Sequence, residues 1–390
     1  MPYNFDEVID RKGTNCIKYD RLEQFCGNPD ALPMWVADTD FRVPDFIMDA
    51  IRERADHEVL AYSFRPESYH QSIIDWMKKR HDWDIKREWI SFSPGVVPAV
   101  TMLIMALTNE DDKVIVQPPV YFPFFTCVKG SGRELVENPL KLENGRYYFD
   151  FEDLKAKIDD KTKMLLLSSP HNPGGMVWTK EELTELGRIC KEKGVIIVSD
   201  EIHSDLVYPG HKHVPLPSIS EELAEITVVC MAPNKTFNIA GLSSAFLVIP
   251  QKKMRVRYER LLNVLHVHGG NIFGTVATEA AYTHGEEWLD ELLEYLQGNL
   301  KYLNEFMADR LPKIKVMQPE STFLVWLDFR DYGLSEKEMK DVLVNKAGVA
   351  MNVGSTFGSG GEGYFRMNIG CPRSTLQEGL ERIEKALRVL

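Results

Sequence analysis

Long apolar runs and basic blocks are both missing from this 390-residue sequence. The longest nearly apolar stretch, residues 96–107, is too short to span a bilayer and contains Pro98 and Thr101. The N-terminus reaches an acidic residue at Asp6 and has no apolar signal region, so no secretory signal is expected. Lysine and arginine total 46 against 58 acidic residues, a formal net charge of -12, and the charges are spread along the chain. Neither a membrane nor nucleic acid is therefore an expected partner.

Cysteine is also sparse, too sparse for a secreted scaffold held by disulfides. The six cysteines show no C-x-x-C pattern, which favours small buried side chains in a reducing cytoplasm. Two histidine pairs, His211 with His213 and His266 with His268, have no further ligands at metal-binding spacing. We therefore predict a cytoplasmic protein without a metal site.

Strand and helix patterns alternate from about residue 95 to 285, which predicts a mostly parallel sheet covered by helices. Apolar strands are predicted at 112–117, 163–167, 195–198 and 226–231, and a capping box, Thr179-x-x-Glu182, begins one of the helices. The last third places helices at 286–311, 335–346 and 374–390 around strands at 323–329 and 364–369. The sequence thus predicts an α/β protein with a large domain (51–285) and a smaller α+β domain (1–50 and 286–390).

Polar residues follow four of the predicted strands, where the carboxyl ends of parallel strands bind ligands. These exits supply Tyr121, Asn172, Asp200, His203 and Lys235. Taken singly, each has an ordinary explanation: a loop lysine is usually solvated, Asp200 suits a helix cap, and Asn172 precedes Pro-Gly-Gly in a good turn. Their shared placement at successive strand exits indicates a site.

The motifs around these residues resemble a known family. SSPHNPGG, SDEIHSD and NKTF, in this order, are similar to the fold-type-I pyridoxal-phosphate (PLP) enzymes related to aspartate aminotransferase. MWVADTDF (34–41), SPGVVPAV (93–100), QPPVYFPF (117–124) and STFLVWLDF (321–329) resemble the MalY/PatB class of cystathionine β-lyases, also called carbon–sulfur lyases. The similarity runs from about residue 30 to the C-terminus. It implies PLP as cofactor and the fold-type-I architecture.

The resemblance also implies roles for the residues around the cofactor ring. Lys235 would bind PLP as a Schiff base and then remove the substrate Cα proton, because a desolvated lysine acts as a base. Tyr121 would be the second catalytic residue, stacked on the ring. Asp200 would pair with the pyridine nitrogen and Asn172 with the cofactor O3′. His203 would be a neighbour of the cofactor O3′ or of Asp200, although a satisfied core histidine is the alternative.

Phosphate and carboxylate sites follow from the same resemblance. Backbone donors at Gly95, Val96 and Val97, which begin an apolar helix, would bind the phosphate. Tyr62 would reach that phosphate from a neighbouring subunit, which implies a homodimer with shared active sites. Asn234 stands where the family usually has serine, and its amide retains a donor for the phosphate. The substrate carboxylate would be held by three groups: Arg366, Asn172 and the backbone N–H of Ala37.

The implied reaction is α,β-elimination of L-cystathionine or related S-substituted cysteines, which yields a thiol, pyruvate and ammonia. For cystathionine the thiol is homocysteine, which would place the enzyme in methionine or cysteine metabolism. An aminotransferase on the same scaffold is the nearest alternative, since both reactions begin with Cα deprotonation. A PLP-binding protein that also contacts a transcription activator is a second alternative, from a different class of function.

Overall fold

The computed structural model describes residues 3–389. Met1 and Pro2, which belong to the predicted small domain and N-terminal segment, lie outside the described residues, as does Leu390, the predicted end of the last helix. The α-helices are α1 (Ile17–Asp20), α2 (Leu22–Cys26), α3 (Asp45–Asp56), α4 (Glu67–His81), α5 (Val96–Leu107), α6 (Pro123–Gly130), α7 (Phe151–Lys157), α8 (Lys180–Glu192), α9 (Glu221–Ala224), α10 (Lys252–Val264), α11 (Ile272–His284), α12 (Glu286–Arg310), α13 (Glu336–Asp341) and α14 (Arg373–Leu387). The strands are β1 (Leu32–Pro33), β2 (Ile90–Ser93), β3 (Lys113–Val116), β4 (Glu134–Glu137), β5 (Lys141–Glu143), β6 (Arg146–Tyr148), β7 (Thr162–Ser168), β8 (Ile196–Asp200), β9 (Thr227–Met231), β10 (Ala245–Val248), β11 (Lys315–Met317), β12 (Leu324–Asp328), β13 (Val349–Ala350), β14 (Asn352–Val353) and β15 (Tyr364–Asn368).

The central sheet confirms the predicted mostly parallel arrangement. Within residues 3–389 it has seven strands in the order β2-β10-β9-β8-β7-β3-β4. The pairs β9–β8, β8–β7, β7–β3 and β3–β4 are parallel, whereas β10 runs antiparallel to both β9 and β2. The carboxyl ends of β3, β7, β8 and β9 therefore meet at one edge, where the predicted site residues follow them.

Helices cover both faces of this sheet. Val114 and Val116 point to a core cluster that contains residues of α5 and α10, and Ile115 points to a second cluster that contains residues of α8. Alternate residues of one strand face opposite sides, so both kinds of position must be apolar in a sheet buried on two faces. This requirement explains the nearly continuous apolar runs from which the strands were predicted.

The capping box at the start of α8 is confirmed by the structure. The side chain of Thr179 accepts a hydrogen bond from the Glu182 N–H, and the Glu182 side chain accepts one from the Thr179 N–H. Two backbone donors that the helix leaves without partners are thus satisfied reciprocally. The helix predicted at 335–346 differs from expectation, because α13 ends at Asp341 and a π-helical turn, Val342–Lys346, follows it.

A second, antiparallel sheet lies in the C-terminal part of the chain. Its order within residues 3–389 is β11-β12-β15-β14, and it places Arg366 between Trp326 and Asn352 on the neighbouring strands. The short strand β1 pairs in parallel with β13, so the N-terminal residues are joined to this C-terminal region. The domain boundaries near residues 50 and 285 stay a prediction.

Candidate active site

The loops after β3, β7, β8 and β9 enclose one cavity of about 190 Å³ at the carboxyl edge of the central sheet. The predicted site residues that line it are Ala37, Gly95, Val96, Val97, Tyr121, Asn172, Asp200, His203, Asn234 and Lys235. Arg366 contacts this group through Asn172, since its Nη1 donates to Asn172 Oδ1 at 2.8 Å. The structure thus brings together residues from positions 37 to 366.

Lys235 lies in the turn after β9 and is partly buried in the cavity. Its Nζ donates a 2.5 Å hydrogen bond to Ala37 O. Desolvation lowers the pKa of Lys235 to about 8, opposed by the negative charges of Asp38 and Asp200 and assisted by Arg366. The amine is therefore a stronger candidate for a base near neutral pH than an exposed lysine.

Asp200 is the last residue of β8 and is buried beside the cavity. One of its oxygens accepts a 3.2 Å hydrogen bond from the Ile202 N–H. Burial raises the pKa of Asp200 to about 7, although that hydrogen bond and Lys235 oppose the rise. A cation placed against Asp200 would restore its charged form.

His203 is neutral in this environment and has a nitrogen without a partner. Burial, with the positive charges of Lys235 and Arg366, lowers the pKa of His203 well below its usual range. Its Nδ1 has no hydrogen-bond partner among residues 3–389, and neither does Oδ1 of the buried Asn234. Buried polar atoms are nearly always paired, so these two indicate a polar ligand in the cavity.

Arg366 is buried in the middle of β15, where an unpaired guanidinium would be very costly. Its Nη2 donates to Trp35 O at 3.1 Å and to Asn352 Oδ1 at 2.7 Å, while its Nε is unpartnered in the part of the chain that the structure describes. Burial lowers the pKa of Arg366 to about 10, which leaves it charged at neutral pH. The carbonyl and amide oxygens around it carry no formal charge, so the site is suited to an added carboxylate.

Tyr121 and the start of α5 form two further walls. Burial raises the pKa of Tyr121 to about 12, so its hydroxyl stays protonated. Gly95 is the N-cap of α5 and supplies no side-chain cap. The first N–H groups of an α-helix lack partners within the helix, and the first two residues of α5, Val96 and Val97, line the cavity. That geometry suits an anionic group.

Tyr62 is the predicted site residue that the structure does not bring to the cavity. It is fully exposed, and so are the nearby apolar side chains of Val59, Leu60 and Phe64. The expectation that Tyr62 acts on a neighbouring subunit stays a prediction.

The cavity residues outside the predicted set are Pro98, Ser168, Ile202 and Ala240, and Asn352 lies next to the cavity beside Arg366. Ile202 lines the cavity between Asp200 and His203, and its position inside SDEIHSD was the available signal. Asn352 contacts Arg366 because β14 and β15 pair with these two residues opposite each other, and no sequence pattern predicts that register. The histidine pairs lie elsewhere: His213 Nε2 is 2.7 Å from Glu201 Oε2, and His211 Nδ1 is 3.9 Å from Glu320.

The chain belongs to the aminotransferase class I and II family, whose sequence model matches residues 35–383. It is 46% identical to the cystathionine beta-lyase PatB of Bacillus subtilis over 385 residues, which cover 98% of this chain and 100% of that protein. The structure of cystalysin from Treponema denticola, which contains a pyridoxal 5′-phosphate cofactor, is 36% identical with a TM-score of 0.96 and covers 100% of both chains. The PLP-bound C-S lyase of Staphylococcus hominis is 34% identical with a TM-score of 0.92, covering 99% of this chain and 98% of that one. The predicted resemblance and the fold-type-I architecture are confirmed.

The cavity residues fit PLP, the cofactor of this fold. The aldehyde requires an amine, the pyridine nitrogen a carboxylate, and the phosphate a set of backbone donors; Lys235, Asp200 and the first turn of α5 line the cavity with these three groups. The unpartnered Asn234 and His203 atoms are available to the polar substituents of the cofactor. None of the helices in residues 3–389 combines the length and apolar character that a membrane span requires.

Proposed function

We propose that this protein is a PLP-dependent carbon–sulfur lyase that acts on L-cystathionine or related S-substituted cysteines and yields a thiol, pyruvate and ammonia. One observation carries the proposal: a desolvated lysine, a buried carboxylate and a buried arginine converge on one cavity. The identity to a cystathionine beta-lyase over nearly the whole chain supports the same reaction. The small-molecule substrate is thus an amino acid with sulfur on Cβ.

Each residue has a role set by its chemistry. PLP, when bound, supplies an aldehyde that condenses with amines and a ring that withdraws electrons from the substrate Cα. Lys235 holds the cofactor, and its Nζ then accepts the proton from Cα, a task suited to an amine with a pKa of about 8. Tyr121 would pack against the cofactor ring, and Asp200 would favour a proton on the ring nitrogen. Loss of the Cα proton is followed by cleavage of the Cβ–S bond, in which the electron pair leaves on sulfur and the thiolate takes up a proton. Water then hydrolyses the released three-carbon enamine to pyruvate and ammonia.

The remaining residues bind and orient. The fork of Arg366, aligned by Asn172 and Asn352, binds the substrate carboxylate, and the Ala37 N–H adds a backbone donor. When the cofactor is bound, neutral His203 and Asn172 would hydrogen-bond to its ring oxygen, while Asn234 and the Gly95–Val97 turn would hold the phosphate. Binding energy at the carboxylate fixes Cα within reach of Lys235, which converts the proton transfer into an intramolecular step.

We further propose a cytoplasmic homodimer in which Tyr62 of the partner subunit completes the phosphate site. The exposed apolar segment 59–64 supports this assembly, because contiguous exposed apolar surface usually marks an interface. The six cysteines are all unpaired, which suits a reducing compartment.

One pair of assays separates lyase from aminotransferase. The purified protein is incubated with L-cystathionine and assayed for pyruvate and free thiol, then with an amino donor and 2-oxoglutarate. We expect thiol and pyruvate in equal amounts, abolished by Lys235→Ala and retained in Lys129→Ala, which removes an exposed lysine from helix α6. Keto-acid exchange without thiol release would contradict the lyase assignment and support the aminotransferase.

A further inference from the structure

The backbone that faces Lys235 is held by hydrogen bonds from side chains. Residues 35–39, which we call the Ala37 segment, form no helix or strand, yet the carbonyl of each residue accepts a hydrogen bond from a side chain. The donors are Arg366 to Trp35 O (3.1 Å), Asn368 to Val36 O (2.6 Å), Lys235 to Ala37 O (2.5 Å), Asn368 and Lys18 to Asp38 O (2.6 and 3.3 Å) and Arg11 to Thr39 O (3.1 Å).

Two of these donors, Arg11 and Lys18, come from the N-terminal residues and line no part of the cavity. Lys18 is 1% exposed, and its Nζ lies 2.7 Å from Asp40 Oδ2 and 3.5 Å from Asp38 Oδ1. Arg11 bonds the same two carboxylates, at 2.8 Å to Asp38 Oδ2 and 2.6 Å to Asp40 Oδ1. Two cations and two carboxylates thus form a closed ionic cluster directly after Ala37.

Stability alone is a poor explanation for this cluster. Removing an ammonium group from water is costly, and replacing a buried ion pair by apolar side chains is often neutral or stabilising. What such a cluster does fix is geometry, since each charge-assisted hydrogen bond restricts the position of its partner. Here the restricted backbone is the one that contacts Lys235 and Arg366.

We propose that Arg11 and Lys18 are positioning residues of the active site. They hold Asp38 and Asp40, and through them the Ala37 segment, so that the Ala37 N–H stays aligned with the carboxylate that Arg366 binds. The inference rests on the proposed function only in assigning the substrate carboxylate to Arg366 and Ala37. It would hold equally for an aminotransferase, because that reaction binds the same carboxylate.

Glycine binding to the holoenzyme tests this role without requiring elimination. Glycine carries the amine and the carboxylate but no leaving group on Cβ, so its dissociation constant is read from the change in visible absorption of the cofactor. In Lys18→Met we expect this constant, and the KM for an S-substituted cysteine, to rise about tenfold, as loss of one charge-assisted hydrogen bond allows. The kcat should stay within about threefold, because Lys235 and Asp200 are unchanged.

Further variants separate positioning from folding. If Lys18→Met does not fold, Arg11→Met removes the partly exposed cation and Lys18→Met/Asp40→Asn removes a charge pair together, and the same rise is expected in both. Arg11→Lys restores one of the lost hydrogen bonds and should recover part of the affinity. The matched control is Arg310→Met, which removes one of the two arginine partners of the nearly buried Glu384, between helices that do not line the cavity.

The results are distinguishable from those for the lyase reaction. Glycine dissociation constants within about twofold of wild type in every folded cluster variant would overturn the inference, as would an equal loss in Arg310→Met. A wild-type protein that binds glycine but releases no thiol would contradict the proposed function alone. Weaker glycine binding in Lys18→Met would then still support the positioning role.

Discussion

Asp200 combines burial with a carboxyl pKa that is raised from 3.8 to about 7. In the folded, cofactor-free protein this group keeps a proton that the unfolded chain releases above pH 4. The contribution of Asp200 to the free energy of unfolding should therefore fall as the pH rises, by roughly 2–3 kcal/mol between pH 5 and pH 8. Asp200→Asn removes this contribution, so in urea titrations of the cofactor-free proteins the stability of the variant relative to wild type should rise by that amount between pH 5 and pH 8.

The same substitution should lower elimination activity, because a neutral amide does not favour the protonated cofactor ring. Stability and activity are thus expected to change in opposite directions at this position, a common trade-off at active sites. Identical pH profiles for the two cofactor-free proteins would show that Asp200 is ionised throughout and that the argument from burial is wrong.

Arg366 offers a test of carboxylate binding at a single residue. Arg366→Lys keeps a positive charge but loses the planar fork that contacts Asn172, Asn352 and Trp35 O. We expect the KM for the amino-acid substrate to rise about 10- to 100-fold, with a smaller fall in kcat. Steady-state kinetics measure this split, and Arg330→Lys, which alters the ion pair of a half-exposed arginine with Asp328 away from the cavity, should leave both constants near wild type.

The sequence predicted which residues belong to the site where those residues lie at the ends of strands. Asp200 ends β8, and Asn172 and Lys235 lie in the loops that follow β7 and β9, so their convergence follows from parallel pairing of those strands. The contacts of Lys18, Asn352 and Asn368 with the site were not predictable, because they depend on tertiary register between segments far apart in sequence. From sequence alone Lys18 is expected to be a surface charge, and its burial is apparent only from the structure.

At the scale of elements, the loop of residues 171–175 (HNPGG) packs closely against Pro319 at Gly175. Gly175 has a φ of +74°, and a Cβ placed on it would lie 2.6 Å from Pro319 Cβ. Gly194, at the end of α8, has a φ of +68° but open space around it. Gly175→Ala should therefore cost about 2 kcal/mol or more in unfolding free energy, against about 1 kcal/mol for Gly194→Ala.

The two glycines also differ in their distance from the active site, so their substitutions should differ in enzyme kinetics as well as in stability. Gly175 is three residues from Asn172, so Gly175→Ala should raise the substrate KM, whereas Gly194→Ala should leave the kinetics unchanged. Denaturant titrations and steady-state assays on both variants provide the measurements. Equal costs for the two substitutions would mean that Pro319 moves away without penalty.

Element types were easier to predict than element directions. The apolar runs that became β3, β7, β8 and β9 were all identified from sequence, and so was the capped start of α8. The reversal of β10 was not, because an apolar strand buried on both faces has the same composition in either direction. The π-helical turn after α13 was also missed, since its residues continue the helical pattern of apolar positions.

At the scale of the whole molecule, the segment of residues 58–66 has no regular structure and exposes a row of apolar side chains. Leu60 is 60% exposed and Phe64 83% exposed. Exposing adjacent apolar side chains to water is unfavourable, so such a segment is typical of a subunit interface. We expect Leu60→Asp/Phe64→Asp to place unpaired charges in the proposed interface and to convert the dimer into a monomer, as measured by analytical ultracentrifugation.

The monomeric variant should also lose cofactor affinity, because the phosphate site would lack Tyr62 of the partner subunit. Tyr62→Ala separates the two effects: it should remain dimeric and yet release PLP more readily, seen as loss of visible absorption on dialysis. Val8→Asp is the matched control for Leu60→Asp/Phe64→Asp, since Val8 is 67% exposed but lies outside the segment of residues 58–66. A Tyr62→Ala dimer that retains PLP as wild type does would show that each subunit builds its phosphate site from its own residues, and the shared site would be wrong even if the dimer is right.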